Sequence, residues 1–490
     1  MQQFLHALTF TLLVLLTACS GGGGGGGSNP PPEEPNDPPT AVADDVTVVE
    51  NTPTQLSIFS NDDDPDGQVS TASIGTQPAH GTVIVNGSQV TYTPDDGYTG
   101  DDSFTYAAVD NDGAASDAVT VSITVTPITE TTLTVNSRSI PASGYTQQNH
   151  AEFQATVLTS PAQSLTVPAN TVSFLLQLQG DDAGISPHSP NLFFSGMDNA
   201  AGLPLSPFFR HVLFCDSGLC TALVPRRPDI SAERGDWAYY LGTFENTLGN
   251  IDLSNLSLNV TVRTGPQPDT SATFPAKLKV HPFMTADSIT EVELQTVLDE
   301  FTRIANDNNI TIDMDPITVV SGDQYNEVSG DFNDSITAEL VTMGDAGKVN
   351  IFFLEGFTGA SGGGTLGISG GLPGPLGLKN NFNGILINAT ATHSAPSIYA
   401  RTTAEFAFHE MGHFLGLFHT TERTFGFNDI IDDTPNCSET DDTNNNGIAN
   451  VEECADGLNP MFWDNDFNQA KETLTGDQKH VLFYSPIATP

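Results

Sequence analysis

The sequence predicts a multidomain chain: two all-β modules followed by an α/β domain, behind an export segment and a tether. Three observations carry that expectation. Short apolar–polar alternations separated by Asp, Asn and Gly turns fill residues 40–272. Helical spacing of apolar residues sets in only after about residue 273. The stretch 19–39, rich in Gly and Pro, cannot form a core. A length of 490 residues leaves room for three or four domains. With 60 acidic residues against 15 basic ones, the net charge is −45. That excludes a nucleic-acid backbone as partner, because phosphate binding needs clustered Lys and Arg.

Residues 1–18 read as an export signal. Phe10 to Leu16 is an apolar core too short for a membrane span. Leu16-Thr17-Ala18-Cys19 resembles a bacterial lipobox, in which Cys19 is lipidated and becomes the mature N-terminus, although no Lys or Arg precedes the apolar core. The alternative is an ordinary cleaved signal and a secreted protein. Ser20 follows the cysteine, which points to the outer membrane or cell surface. Gly21 to Gly27 is a flexible coil, and the Pro-rich residues after it make a stiffer spacer. Besides Cys19, the cysteines fall into two local pairs, Cys215 with Cys220 and Cys437 with Cys454. In an exported protein two short-loop disulfides are the favoured one of three pairings.

Residues 40–126 carry strand-like runs such as Thr82-Val83-Ile84-Val85, Ser103-Phe104-Thr105-Tyr106 and Val119 to Val125. The segments PPTAVADDVTVVENTP, PAHGTVIVNGSQVTYTPDDGYTGDDSFTY and DNDGAASDAVTVSITV resemble bacterial cadherin-like, immunoglobulin-like repeats, which implies a β-sandwich. Asp62 to Gly67 and Asp110 to Gly113 are either calcium-holding loops or solvated turns. Residues 127–272 predict a second β-sandwich from runs such as Ser173 to Leu178 and Leu256 to Val262, with a faint likeness to the jelly-roll domains that accompany secreted peptidases. Arg234-Gly235-Asp236 is read as a structural turn.

The α/β pattern of residues 273–490 opens with a strand at Ala276 to Val280. Ser288-x-x-Glu291 then reads as a capping box before a stripe of Leu294, Val297, Leu298, Phe301, Ile304 and Ala305. Strands are expected at 310–312, 349–354 and 384–388, and Thr402-x-x-Glu405 reads as the cap of a last long helix. The Gly-rich span 362–377 lacks the G-K-[ST] of a phosphate loop.

That last helix bears the chain's most specific pattern, His409-Glu410-Met411-Gly412-His413-Phe414-Leu415-Gly416-Leu417-Phe418-His419. On a helix His409 and His413 lie a turn apart on one face and can grip one metal ion. Glu410 sits beside the first ligand, where a general base is needed. Gly416 can end the helix and swing the chain back, bringing His419 in as a third ligand. Three protein ligands leave one position open, the arrangement of a catalytic rather than a structural zinc. Neutral imidazoles are required, so binding should fail in acid. A glutamate as third ligand would have to be Glu439, in a stretch with no helical pattern, whereas His419 is already in place.

The pattern H-E-x-x-H-x-x-G-x-x-H resembles the metzincin metallopeptidases. HEMGHFLGLFHTTER, DDTPNC, NPMFWD and LTGDQKHVLFYSP resemble, in that order, the pappalysin-like metzincins over about residues 275–490. The resemblance implies an α/β metzincin catalytic domain with a zinc ion on His409, His413 and His419 and Glu410 as general base and acid. It implies a Met-turn at Met461 beneath the histidines, and a sheet-edge strand near Leu366 to Ser369 that holds extended substrate. A tyrosine is common two residues after that methionine; here it is Trp463, which cannot ligate zinc. Asp442, Asn444, Asn446 and Glu453, with Gly447, satisfy the spacing of a calcium loop, closed by Cys437 and Cys454. The expectation is a lipid-anchored zinc endopeptidase acting on extracellular proteins or peptides, with calcium as a second cofactor. The alternative is a surface adhesin or matrix-binding lipoprotein with an inactive peptidase-like domain.

Overall fold

The computed structural model describes residues 35–95, 98–128, 132–150, 155–180, 192–202, 213–216, 218–225, 231–243, 251–266, 276–359, 364–395, 398–420, 433–434, 437–444, 446, 448, 452–462 and 473–489. Cys19 and Trp463 lie outside the described residues.

The first module is a sandwich of a four-stranded and a three-stranded sheet. Strand Val119–Thr126 pairs in parallel with Asp44–Val49 and antiparallel with Gly100–Asp110. Its alternating burial gives Val121, Ile123 and Val125 to a core with Tyr92, Phe104 and Tyr106. The acidic turns serve their own backbone: Asp110 Oδ1 accepts the amides of Asp112, Gly113 and Ala114, and Asp62 accepts from Val42 N and the Tyr106 hydroxyl.

The second module is two five-stranded antiparallel sheets around Trp237, Phe174 and Phe194. Strand Thr171–Gln179 is buried on both faces instead of alternating. Phe174, Leu176 and Leu178 face the module's own core, while Leu175, with Leu223 of the neighbouring strand, joins the core of the third domain. Gly235 opens the strand Gly235–Thr243 with φ of 140°, and Asp236 accepts from Thr166 Oγ1, a structural use of that triplet.

The third domain is α/β. Its elements are β1 (Ala276–Met284), α1 (Glu291–Asp307), β2 (Ile310–Met314), α2 (Ser335–Val341), β3 (Val349–Leu354), β4 (Gly367–Ser369), β5 (Ile385–Asn388), α3 (Tyr399–Leu415) and α4 (Gly476–Phe483). The sheet order is β2-β1-β3-β5-β4, parallel except for β4, which pairs antiparallel with β5 at the edge. The α1 stripe is fully buried, with Phe301 edge-on to Phe408 of α3.

Two helix starts differ from the sequence reading. The capping box of α1 is Thr290 with Glu293, because the amide of Ser288 is already taken by Glu355 Oε1. Helix α3 begins at Tyr399, about a turn before the expected cap, without a side-chain cap. The turn that starts it is backbone-made, with the amides of Ile398 and Tyr399 both donating to Ala395 O, and Thr402 and Glu405 are buried within the helix.

Candidate metal centre and cleft

Helix α3 carries His409 and His413 on one face, one turn apart. It ends at Gly416, whose φ of 117° is left-handed and open to glycine at little cost. The amides of Gly416 and Leu417 both donate to Gly412 O, which closes the helix and reverses the chain. His419 is thereby brought back, and one nitrogen from each of the three histidines falls within 4.8 Å of the others.

The ring orientations are set from behind. His409 Nδ1 lies 2.7 Å from Pro460 O, and His413 Nδ1 lies 2.7 Å from Leu417 O. A carbonyl only accepts, so each Nδ1 carries the proton and each Nε2 keeps its lone pair facing the centre. His409 Nε2 is 3.1 Å from His419 Nε2. Two ligand nitrogens that share one ion at about 2.0–2.1 Å sit at about such a separation. The donor set therefore fits a zinc ion on His409, His413 and His419.

Met461 lies directly beneath. A Cβ at Gly412 would collide with Met461 Sδ, so the helix and the methionine meet only because residue 412 has no side chain. The turn that presents Met461 is tied on both sides. Met461 N donates to Asn459 Oδ1, and Met461 O accepts from Thr420 N, next to His419. Asn459 Nδ2 in turn donates to the buried Gln478 Oε1 of α4. The sequence contains no local signal for the Asn459–Gln478 pair or for the carbonyl of Pro460, because each partner lies far along the chain; Leu417 O is only four residues from His413, and it is the turn at Gly416 that brings it there.

Glu410 projects into the cleft between α3 and the edge strand. Burial pushes its carboxyl up to about 8, against the pull of the Ser369 amide that donates to it. The strand can come this close because residue 367 is glycine: a Cβ there would lie 2.6 Å from Glu410 Cγ. On one side of Glu410 a cavity of about 360 Å³ is lined by His413, His419 and a largely apolar wall. On the other side a hollow of about 250 Å³ is lined by His409, His419, Leu366 and Phe406.

The remaining expected residues are placed as follows. Glu439 opens a short 3-10 turn, Glu439–Asp441, and is not part of the histidine cluster. Cys437 and Cys454 are disulfide-bonded, with Cα atoms 5.2 Å apart. They flank the loop in which Asp442 Oδ1 and Asn444 Oδ1 accept from Asn446 N, Asn446 Oδ1 from Ile448 N, and Glu453 Oε1 from Asn444 N. Cys220 is also disulfide-bonded, and Cys215 stands directly across from it in register. A second group with metal-ligand chemistry, His281, Asp315 and Asp345, already surrounds a cation: Lys348 Nζ lies 2.6 Å from Asp315 and 2.9 Å from Asp345.

Residues 346–482 match the peptidase family model described as pregnancy-associated plasma protein-A, and residues 36–126 match the bacterial Ig domain model. No curated protein matches the sequence. Among solved structures, archaemetzincin from Methanopyrus kandleri aligns at 13% identity over 30% of this chain and 78% of its own, with a TM-score of 0.22. A chaperone–tip adhesin complex of CFA/I fimbriae aligns at 8% identity over 48% of this chain and 98% of its own, with a TM-score of 0.19. The CBM51-2 and INT domains of Clostridium perfringens ZmpB align at 10% identity over 53% and 50%, with a TM-score of 0.13. Likenesses this low carry no part of the argument. Residues 346–482 thus form a peptidase domain of the pappalysin type, and a bacterial Ig domain precedes it at residues 36–126.

Proposed function

We propose that the chain is a zinc-dependent endopeptidase that cuts extracellular proteins in the cleft between β4 and α3. The observation that carries this reading is the convergence of three imidazoles, two of them with Nδ1 committed to carbonyls, beside a carboxyl group in an apolar cleft. Zinc bound there supplies a Lewis acid that acidifies water and polarises a carbonyl.

The protein's own residues do the rest. His409, His413 and His419 hold the ion, and Pro460 O and Leu417 O keep the first two rings aimed. Glu410, whose carboxyl pKa burial raises and a cation held by the three histidines would lower, acts as the carboxylate that takes a proton from the attacking water and returns it to the leaving amine. β4 is the edge strand of the sheet, so an extended peptide would lie along its outer side by strand addition, with the scissile bond across Glu410. The Ser369 amide, which donates to Glu410, orients that carboxyl toward the centre. Met461 supports the histidines from below.

The test uses purified full-length protein, zinc analysis and a peptide library. Wild type is expected to bind one zinc and to cleave, while Glu410→Ala keeps the zinc and loses at least about a hundredfold in rate. Equal cleavage by both forms, or by neither, sinks the enzyme reading and leaves the adhesin alternative standing.

Two further parts of the proposal have separate tests. Asp442, Asn444, Asn446 and Glu453 are proposed to hold calcium and stiffen the chain between His419 and Met461. Calcium added to the chelated protein should raise its melting temperature, and no shift on addition would refute the site. Cys19 is proposed as the lipid anchor at the outer membrane or cell surface. Its replacement by Ala should release the protein from membranes, and retention would refute the anchor.

A further inference from the structure

The pocket beside the metal histidines is closed by a residue from outside the peptidase domain. Leu219 opens the strand Leu219–Val224 of the second module, is 1% exposed, and shares a core cluster with Phe332, Phe352 and Phe382 of the third domain. It also lines the 360 Å³ cavity whose polar side is Glu410, His413 and His419. The hairpin that bears it is fixed independently of any substrate. Thr221 Oγ1 donates to Leu372 O at 3.3 Å, and the Gln179 amide exchanges hydrogen bonds with Asn380 and Asn381. Gly218, with φ of 84°, turns so close to the third domain that a Cβ would stand 3.1 Å from Phe382. The disulfide at Cys220, next in sequence, stiffens the same tip.

We propose that Leu219 is a specificity-determining residue. The second module forms one wall of the pocket that receives the side chain of a substrate residue adjoining the scissile bond, and the side chain it selects is large and apolar. The reasoning is one of matched surfaces. Leu219, Phe332, Leu372 and Phe382 offer no hydrogen-bonding side chain, and the hydroxyl of Ser369, which also lines the cavity, donates to Gly371 O, so a charged or amide substrate side chain entering there would lose water with little replacement. A Leu, Met or Phe side chain would gain the burial of its whole apolar surface. The cavity also lies at the lower end of the size range of small-molecule pockets, which suits one side chain rather than a segment. On this account the second module is part of the active site and not merely a spacer.

This inference rests on the peptidase reading, so the experiment has two arms. In the first, zinc-loaded full-length protein is profiled on a peptide library; in the second, the same peptides are bound to Glu410→Gln protein, which reads the pocket without turnover. Wild type should favour Leu, Met or Phe at one position flanking the cut. Leu219→Trp, which fills the pocket, should shift the preference toward Ala by at least about tenfold in kcat/KM and in binding. Leu219→Ala should extend tolerance toward Trp. Melting and zinc content identify variants that fold. Unchanged preferences in both arms, or a uniform loss across all peptides from a folded variant, overturn the proposal. Absence of cleavage by wild type, with a Leu219-dependent binding preference retained, would instead remove the peptidase reading and leave the pocket assignment intact.

Discussion

Gly412 shows how a residue outside the ligand set can be required by it. The position is one of the unspecified letters of H-E-x-x-H, yet a methyl group there would meet Met461 Sδ at well under contact distance. The turn that carries the buried sulfur is held at Met461 N by Asn459 and at Met461 O by Thr420, which limits how far it can retreat. Gly412→Ala is therefore expected to destabilise the protein by about 1–3 kcal/mol and to weaken zinc binding, read by denaturant unfolding and a competitive zinc titration. Unchanged values in both would show that the methionine turn is free to shift. The same contrast explains what was legible at this scale. The three histidines, Glu410 and the turn at Gly416 obey local spacing along one helix, so the sequence displays them. Gly412, Gly367 and Asn459 answer to partners far along the chain, and no local pattern encodes such a pairing.

At the scale of elements, apolar periodicity was a better guide than capping motifs. The α1 stripe is buried as expected, and the edge strand falls at Gly367–Ser369, within the span chosen for it. Neither expected capping box forms: that of α1 sits instead at Thr290 and Glu293, and α3 has no side-chain cap, since a Ser or Thr with a Glu three places on identifies a cap only if its backbone amide is still unclaimed. The short helix α4 carries a consequence for pH. Its His480 stacks on Tyr484, with ring centroids 4.2 Å apart, and its Nε2 is buried with no hydrogen-bond partner among the described residues. Burial lowers the His480 pKa below the usual 6.5. Between the folded and unfolded values the unfolded chain binds more protons, so stability rises with pH there. His480 thus favours the folded state above about pH 6.5, and that advantage is lost as pH falls through the lower folded value. Metal-free His480→Phe protein should lose less stability than metal-free wild type between pH 7.5 and 5.5. Equal losses in paired urea titrations would refute this assignment.

At the scale of the molecule, the second module is the least legible part of the sequence, and nothing in its pattern encodes its closeness to the peptidase domain. A strand such as Thr171–Gln179 announces burial through its uniform apolarity, but periodicity cannot say which neighbour covers each face. The answer lies in Leu175 and Leu223, which enter the third domain's core, and in Arg263 at the end of the module's last strand, Ser257–Thr264. Arg263 is 1% exposed and donates to Phe483 O at 2.7 Å and Ser485 O at 3.2 Å, at the C-terminal end of α4. A cation there complements the helix dipole and satisfies carbonyls that the helix itself leaves open. The position is costly all the same: burial lowers the guanidinium pKa to about 10, and Nε has no acceptor among the described residues. Arg263→Met keeps most of the volume and removes the charge, so the desolvation cost disappears while the two carbonyls lose their donor. Because the gain and loss oppose each other, the net change in stability should be small, within about 2 kcal/mol of wild type. The hold on α4 should be lost regardless. Hydrogen exchange is therefore the discriminating measurement: the α4 amides should exchange faster in Arg263→Met, while those of α2, whose Leu340 and Val341 pack in a separate core cluster, should keep their wild-type protection. Unchanged protection in α4 would mean that Arg263 does not hold the helix and that the other contacts between the two domains, Leu175 and Leu223 among them, suffice.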